Sequence, residues 1–286
     1  MVSAAEVAVV TDSTALFPSG EIPAGVSVVP LQVIIDQECY PEGAEEASPE
    51  AVVAAFAAKK KVTTSRPAPA LLQDLYGRLA AEGYAEILSL HLSSEMSGTV
   101  ESARLAGREA SVPVLALDTR AVGPAVGYGA AAAIAAVERG ASAQEAAQVA
   151  KARIDATRSL IYVDSLEPMR RGGRIGTATA LLGSALAVKP LLTIEDGRIV
   201  VTEKVRTAAR ALARMTELAI EAAGADRVEV SVAHLAAEDR AERLASALAE
   251  RLGEQLAEPV RCGQVGAGLG THVGPGMVAV VVAPAL

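Results

Sequence analysis

The sequence predicts an α/β protein of two domains, and three observations carry that reading. Strand-like apolar runs alternate with helix-like segments through the first half, the pattern of a parallel sheet covered on both faces. In the second half Asp196-Gly197 separates "VKPLLTI" from "RIVVTEKV", a hairpin signal that requires an antiparallel pair. The length, 286 residues, accommodates one large or two medium domains.

The elements follow in order. "VAVVT" (7–11) ends at Asp12, and "VSVVPLQVII" (26–35) is a longer β-rich run. "SPEAVVAAFAAK" and "APALLQDLYGRLAAEG" are helical, the second closed by Gly83 at C′. "EILSLHL" (86–92) is a strand, followed by a helix from about Ser97. "VPVLALD" (112–118) leads to an Ala-rich helix at 125–138 and a charged one at 142–156. A boundary near 157 separates domains at 1–157 and 158–286. Beyond it come "SLIYVDSL", the hairpin, a helix at 206–223, "RVEVSVAH", a helix at 237–253 and two terminal strands.

Composition excludes several function classes. Net charge is −8 and aromatics are 2%, so the basic face and stacking rings of nucleic-acid binders are missing. No apolar run reaches the roughly 20 residues of a membrane span. "MVSAAEVAVVTDS" carries an acid where a secretory leader has basic residues, which predicts a cytoplasmic protein. Cys39 and Cys262 lack metal-ligand spacing, so no metal is expected and both read as buried free thiols.

The polar residues that could carry function fall at strand ends and helix starts. "TDST" (11–14), "SSEMSGT" (93–99) and "DTR" (118–120) end predicted strands, where a parallel sheet gathers its ligand-binding loops. In "TTSRPAP" (63–69), Thr64 and Ser65 precede Pro67, which suits a helix's first turn. Hydroxyls beside free helix-end amides can hold an anion; taken singly, each reads first as an N-cap. "RRGGRIG" (170–176) reads as a solvated turn or as a close-bending loop aiming Arg174 inward. His91 and His234 lie in or at the end of apolar strands and read as satisfied core histidines, and Lys204 and Arg206 read as surface charge. His272 instead sits among Gly266, Gly268, Gly270, Gly274 and Gly276, just before the last strand.

Familiar catalytic motifs fail. "DST" has Thr14 where the phosphatase motif needs a second Asp, "HLSSE" is not G-x-S-x-G, and "GAGLG" is not G-x-G-x-x-G. No Walker A lysine is present.

In order along the chain, "VTDSTA", "VVPLQV", "TTSRPAP", "HLSSEMSGT", "LALDTR", "RRGGRIG", "VKPLLTIEDGRI", "KVRT" and "GTHVGPG" together resemble the DegV family. That resemblance implies an N-terminal Rossmann-like domain with a parallel sheet and a C-terminal α/β domain with a mixed sheet. It also implies a long-chain fatty acid, such as palmitate, stearate or oleate, held in the interdomain region. The protein would be a monomer that catalyses nothing and needs no cofactor. It would present the lipid carboxyl group to a fatty acid kinase, which makes acyl-phosphate for phospholipid synthesis. By the same resemblance Thr64, Ser97 and His272 bind the carboxylate, with Arg174 supporting the head-group network. Ser65, Ser93 and Ser94 are neighbours, and Arg206 is a candidate for engaging the kinase. Two positions depart from the family's pattern: Arg66 stands where Gln before Pro is common, and Val100 where an aromatic is frequent.

Two other readings remain open on the residues alone. One is a hydrolase or phosphotransfer domain using His272 with a serine; the other is a sensor of a different small organic acid.

Overall fold

The computed structural model describes residues 7–17, 20–176 and 189–286. The chain forms two compact units, one of Met1–Gln32 with Ser65–Ala156 and one of Val33–Thr64 with Thr157–Leu286.

The first unit contains a four-stranded parallel sheet in the order β2-β1-β6-β7, formed by β1 (Val7–Asp12), β2 (Val26–Val29), β6 (Glu86–His91) and β7 (Val114–Asp118). Every residue of β1 is buried, as are all but the first of β6. Strands covered on both faces need continuous apolar runs. Tyr76 and Leu79 of α2 (Pro69–Ala81) and Ala103 and Ala106 of α3 (Thr99–Arg108) pack with Ala8, Val10 and Ile87. The helices α4 (Pro124–Glu138) and α5 (Ala143–Ala156) complete the unit and pack on the strands as well as on each other. Gly127 of α4 is needed for a close approach, since a Cβ there would overlap the Leu16 carbonyl.

The second unit holds a mixed six-stranded sheet in the order β10-β9-β8-β13-β11-β12. Its strands are β8 (Arg158–Tyr162), β9 (Lys189–Glu195), β10 (Arg198–Val205), β11 (Val228–His234), β12 (Arg261–Gln264) and β13 (Val278–Pro284). Only the β11–β12 pair is parallel among these neighbours. The β9–β10 turn has φ of 48° at Asp196 and 79° at Gly197, the two positive values that a type I′ hairpin demands. On one face, Val278, Val280 and Val282 of β13 form a core with α7 (Ala208–Ala223) and α8 (Glu238–Leu252). Ala211, Met215 and Ala219 of α7 recur every four residues, which places them on one stripe.

Three sequence expectations change here. The run 26–35 is not one strand. It breaks at Pro30, which has no N–H for the ladder; β2 stays in the parallel sheet, while β3 (Gln32–Ile35) pairs with β4 (Glu38–Pro41) and β5 (Val62–Ser65) in a separate sheet. Two uninterrupted domains meeting near 157 therefore do not describe the chain. The contacts do divide at 156/157, but residues 33–64 cluster with the second unit. There Val33, Ala47 and Val52 share a small core with Ala267, and α1 (Pro49–Ala57) packs on α9 (Ala267–Val273). Third, Cys39 and Cys262 are exposed rather than buried, because both lie on edge strands, β4 and β12, that leave them open to solvent.

Candidate functional site

Thr64 was expected to cap a helix, but it lies in β5, and α2 begins only at Pro69. The reason is local. A residue before proline is driven out of the helical region, so Arg66 and Ala68 cannot start the helix; Ala68 is extended, with φ −65° and ψ 142°. His272 likewise sits in the last turn of the short helix α9, not in an irregular glycine loop. Gly266 precedes α9 and Gly274, at φ 74°, terminates it.

These two elements bring together residues 208 positions apart: Thr64 Oγ1 and His272 Nε2 are 2.8 Å from one another. Burial, then the nearby positive charge of Arg174, pushes the His272 pKa down to about 4. The imidazole is therefore neutral near pH 7 and carries one proton. Among the described residues His272 Nδ1, which is buried, has no hydrogen-bond partner, and a stranded N–H is the rarer and costlier orphan. The proton accordingly belongs on Nε2, which donates to Thr64 Oγ1 and leaves the Thr64 hydroxyl hydrogen free to donate elsewhere. The ring rests on α6 (Glu167–Gly172), which packs on α9. A Cβ at Gly172 would run into Nδ1 and lie 2.9 Å from Cε1.

Arg174 follows directly. Gly173, in the left-handed region at φ 71°, caps α6 and turns the chain so that the half-buried Arg174 sits near the imidazole, its Nη1 donating to the Gly172 carbonyl. Arg170 and Arg171 of the same motif point elsewhere and pair with Glu167 at 2.6 and 2.9 Å. Thr64, His272 and Arg174 are thus assembled within the second unit.

The serines are held in the first unit and fall into different roles. Ser97 precedes Gly98, the residue before α3, and its Oγ is 2.9 Å from Thr99 Oγ1; it does not cap the helix. Ser93 builds the turn that carries Ser97: it is fully buried, its carbonyl accepts from Met96 N and Ser97 N, and its Oγ accepts from Glu95 N. Ser94 bonds the Asp118 carboxylate through both N and Oγ. Ser65 is exposed and bonds the Arg66 carbonyl at 3.3 Å. Arg66 lies against Gly98, where Nη1 reaches the carbonyl at 3.3 Å and a Cβ would be 2.6 Å from the guanidinium. Val100, the second departure from the pattern, is fully buried. Arg206 is exposed in the link between β10 and α7.

One buried network escaped sequence reading. Asp12 Oδ2 is 3.0 Å from His91 Nδ1, His91 Nε2 is 2.8 Å from Ser89 Oγ, and Ser89 Oγ is 2.7 Å from Tyr76 Oη. Burial raises the Asp12 carboxyl, but hydrogen bonds from His91, Thr14 and Leu92 outweigh it and hold the pKa below the ordinary carboxylate value. The order Asp-His-Ser is that of a hydrolytic triad, yet all four residues are sealed from solvent. The chain of bonds ties the ends of β1 and β6 together. A signal was available: Ser89 and His91 share one face of a strand through the period of two. His91 is the satisfied core histidine expected. His234 differs, because its buried Nδ1 has no hydrogen-bond partner among the described residues.

Among the described residues, no group of three or more His, Cys, Asp or Glu side chains is arranged to hold a metal ion. Among the same described residues, no helix is long and apolar enough to cross a membrane.

A parallel-sheet unit, a mixed-sheet unit, and a neutral Thr–His pair beside an arginine define an α/β protein with a candidate anion-binding site. The chain belongs to the DegV family: the model described as "Uncharacterised protein, DegV family" matches residues 6–285. It is 47% identical over 277 residues to a DegV domain-containing protein of Streptomyces coelicolor, covering 96% of this chain and 98% of that one. Its fold resembles a fatty acid binding DegV family protein from Streptococcus agalactiae, with a TM-score of 0.88, 29% identity and coverage of 98% and 99%. A Thermus thermophilus DegV family protein, described for its fatty acid binding, gives a TM-score of 0.87 at 30% identity and the same coverage.

Proposed function

We propose that this protein binds one long-chain fatty acid, such as palmitate, stearate or oleate, and presents its carboxylate to a fatty acid kinase that converts it to acyl-phosphate. The observation that carries the reading is the 2.8 Å Thr64–His272 pair. A carboxylate accepts hydrogen bonds and donates none, so it needs a hydroxyl whose hydrogen is directed outward. A neutral ring donating to Thr64 supplies that. The Arg174 charge, close enough to depress the imidazole pKa, favours an anion at the same place. Ser97 is a further donor on the strength of the family resemblance. The fatty acid binding described for the relatives from Thermus thermophilus and Streptococcus agalactiae supports the choice of ligand.

Each charge-assisted hydrogen bond contributes about 1.5–3 kcal/mol. A tail of about 14 methylenes contributes on the order of 10 kcal/mol before association costs. The tail therefore supplies most of the affinity, while the polar group adds a smaller share and sets orientation. Arg206, an exposed cation beside the hairpin, is the proposed point of kinase engagement. A role for His272 as general base finds no support, because a ring with a pKa of about 4 is a weak one near pH 7.

The test is to incubate the protein with oleate, ATP and a bacterial fatty acid kinase catalytic subunit and to trap acyl-phosphate as its hydroxamate. Product that depends on this protein, and is reduced in Thr64→Val and Ser97→Ala, is the expected result. Oleate binding without protein-dependent product would overturn the presenting role. No binding of oleate or palmitate would overturn the whole reading.

A further inference from the structure

We infer that Glu42 is a positioning residue for His272, acting across the fold by fixing the first turn of α9; its consequence for lipid affinity rests on the carboxylate reading above. A helix begins with amides that have no partner inside the helix. At α9 the preceding residue is Gly266, which offers no side chain to cap them. Glu42 fills that role from 226 residues away, with Oε1 accepting from Gly268 N at 2.8 Å. A carboxylate is also the favoured charge at that end of a helix. Gly268 permits the contact, since a Cβ there would lie 2.7 Å from Glu42 Oε2.

The geometry explains why the ring should respond. His272 is four residues beyond Gly268, so it lies one turn along the same face of α9. Glu42 directly follows β4, and Thr64 belongs to β5, so a single segment, 33–64, grips α9 at both ends. Between the two grips Val33, Ala47 and Val52 pack against Ala267, and Gln264 Nε2 donates to Glu50 Oε1 at 3.0 Å just before α9. A seven-residue helix held this way has little freedom to rotate. Releasing the Glu42 end lets it turn and swings the imidazole away from Thr64.

The test uses full-length protein labelled with 15N-histidine, with the His272 ring resonances assigned through His272→Gln, alongside calorimetric titration with palmitate. Glu42→Ala should move the His272 resonances and weaken palmitate about tenfold, the cost of one oriented hydrogen bond. Glu42→Gln keeps an oxygen acceptor and should hold both within about threefold of the wild type. Gly268→Ala pushes the carboxylate off while leaving Glu42 present and favouring the helix, so it should reproduce the shift if Glu42→Ala folds poorly. Unmoved His272 resonances in Glu42→Ala and Gly268→Ala would overturn the inference. If they move while neither Glu42→Ala nor His272→Ala changes palmitate affinity, the positioning role stands and the carboxylate reading fails.

Discussion

Gly172→Ala separates the site's geometry from the fold's stability. The new methyl carbon would sit 2.9 Å from His272 Cε1 and closer still to Nδ1, whereas carbon atoms prefer about 3.5–4.0 Å. The ring must retreat by about 1 Å. That displacement spoils the length or angle of the 2.8 Å contact between His272 Nε2 and Thr64. The hydrogen bond itself contributes about 0.5–1.5 kcal/mol to the fold. Replacing glycine in helix α6 recovers up to about 1 kcal/mol, so the melting temperature should hardly change. The lipid loses an oriented donor worth about 1.5–3 kcal/mol, which is about 10- to 150-fold in affinity. Calorimetric titration with palmitate and a thermal melt on the same preparation measure the two quantities. A variant that melts with the wild type and binds palmitate within twofold of it would refute the reasoning.

Three further outcomes are expected. The His272 ring should titrate near pH 4 by NMR; because its pKa is lowered on folding, its contribution is fully present above pH 6.5 and lost as pH falls toward 4. That contribution is at most about 3 kcal/mol, and the pH dependence of urea stability should flatten in His272→Gln over this window. Asp12→Asn breaks a buried carboxylate–imidazole contact and leaves Thr14 and Leu92 donors poorly matched, so chemical denaturation should show a loss of about 2–4 kcal/mol. Arg206→Glu should leave palmitate affinity unchanged and raise the concentration of protein that half-saturates kinase turnover.

The sequence made legible what depends on local pattern. Period-two and helical runs marked most of the elements, and Asp196-Gly197 announced its turn because few residues accept two positive φ values in succession. Thr64, His272 and Arg174 could be named from motif order, and the structure brings these three together. What stayed hidden is set by partners distant in sequence. An apolar run cannot reveal that Pro30 hands its second half to another sheet. The attachment of residues 33–64 to the second unit depends on packing between Val52 and Ala267, and nothing local to either residue signals it. Nothing local to Glu42 signals its contact with the first turn of α9, 226 residues on. The serines of "HLSSE" were likewise indistinguishable as a string, although Ser93 builds the turn and Ser94 is tied to Asp118. Exposed cysteines contradict the general preference of free thiols for burial, because edge-strand position overrides residue type.

Whether the protein carries one fatty acid is read out by native mass spectrometry of the freshly purified protein. The expected result is an added mass matching a C14–C18 fatty acid at one per chain, released on denaturation and restored by added palmitate. A clean protein mass that does not shift with palmitate or oleate would contradict it.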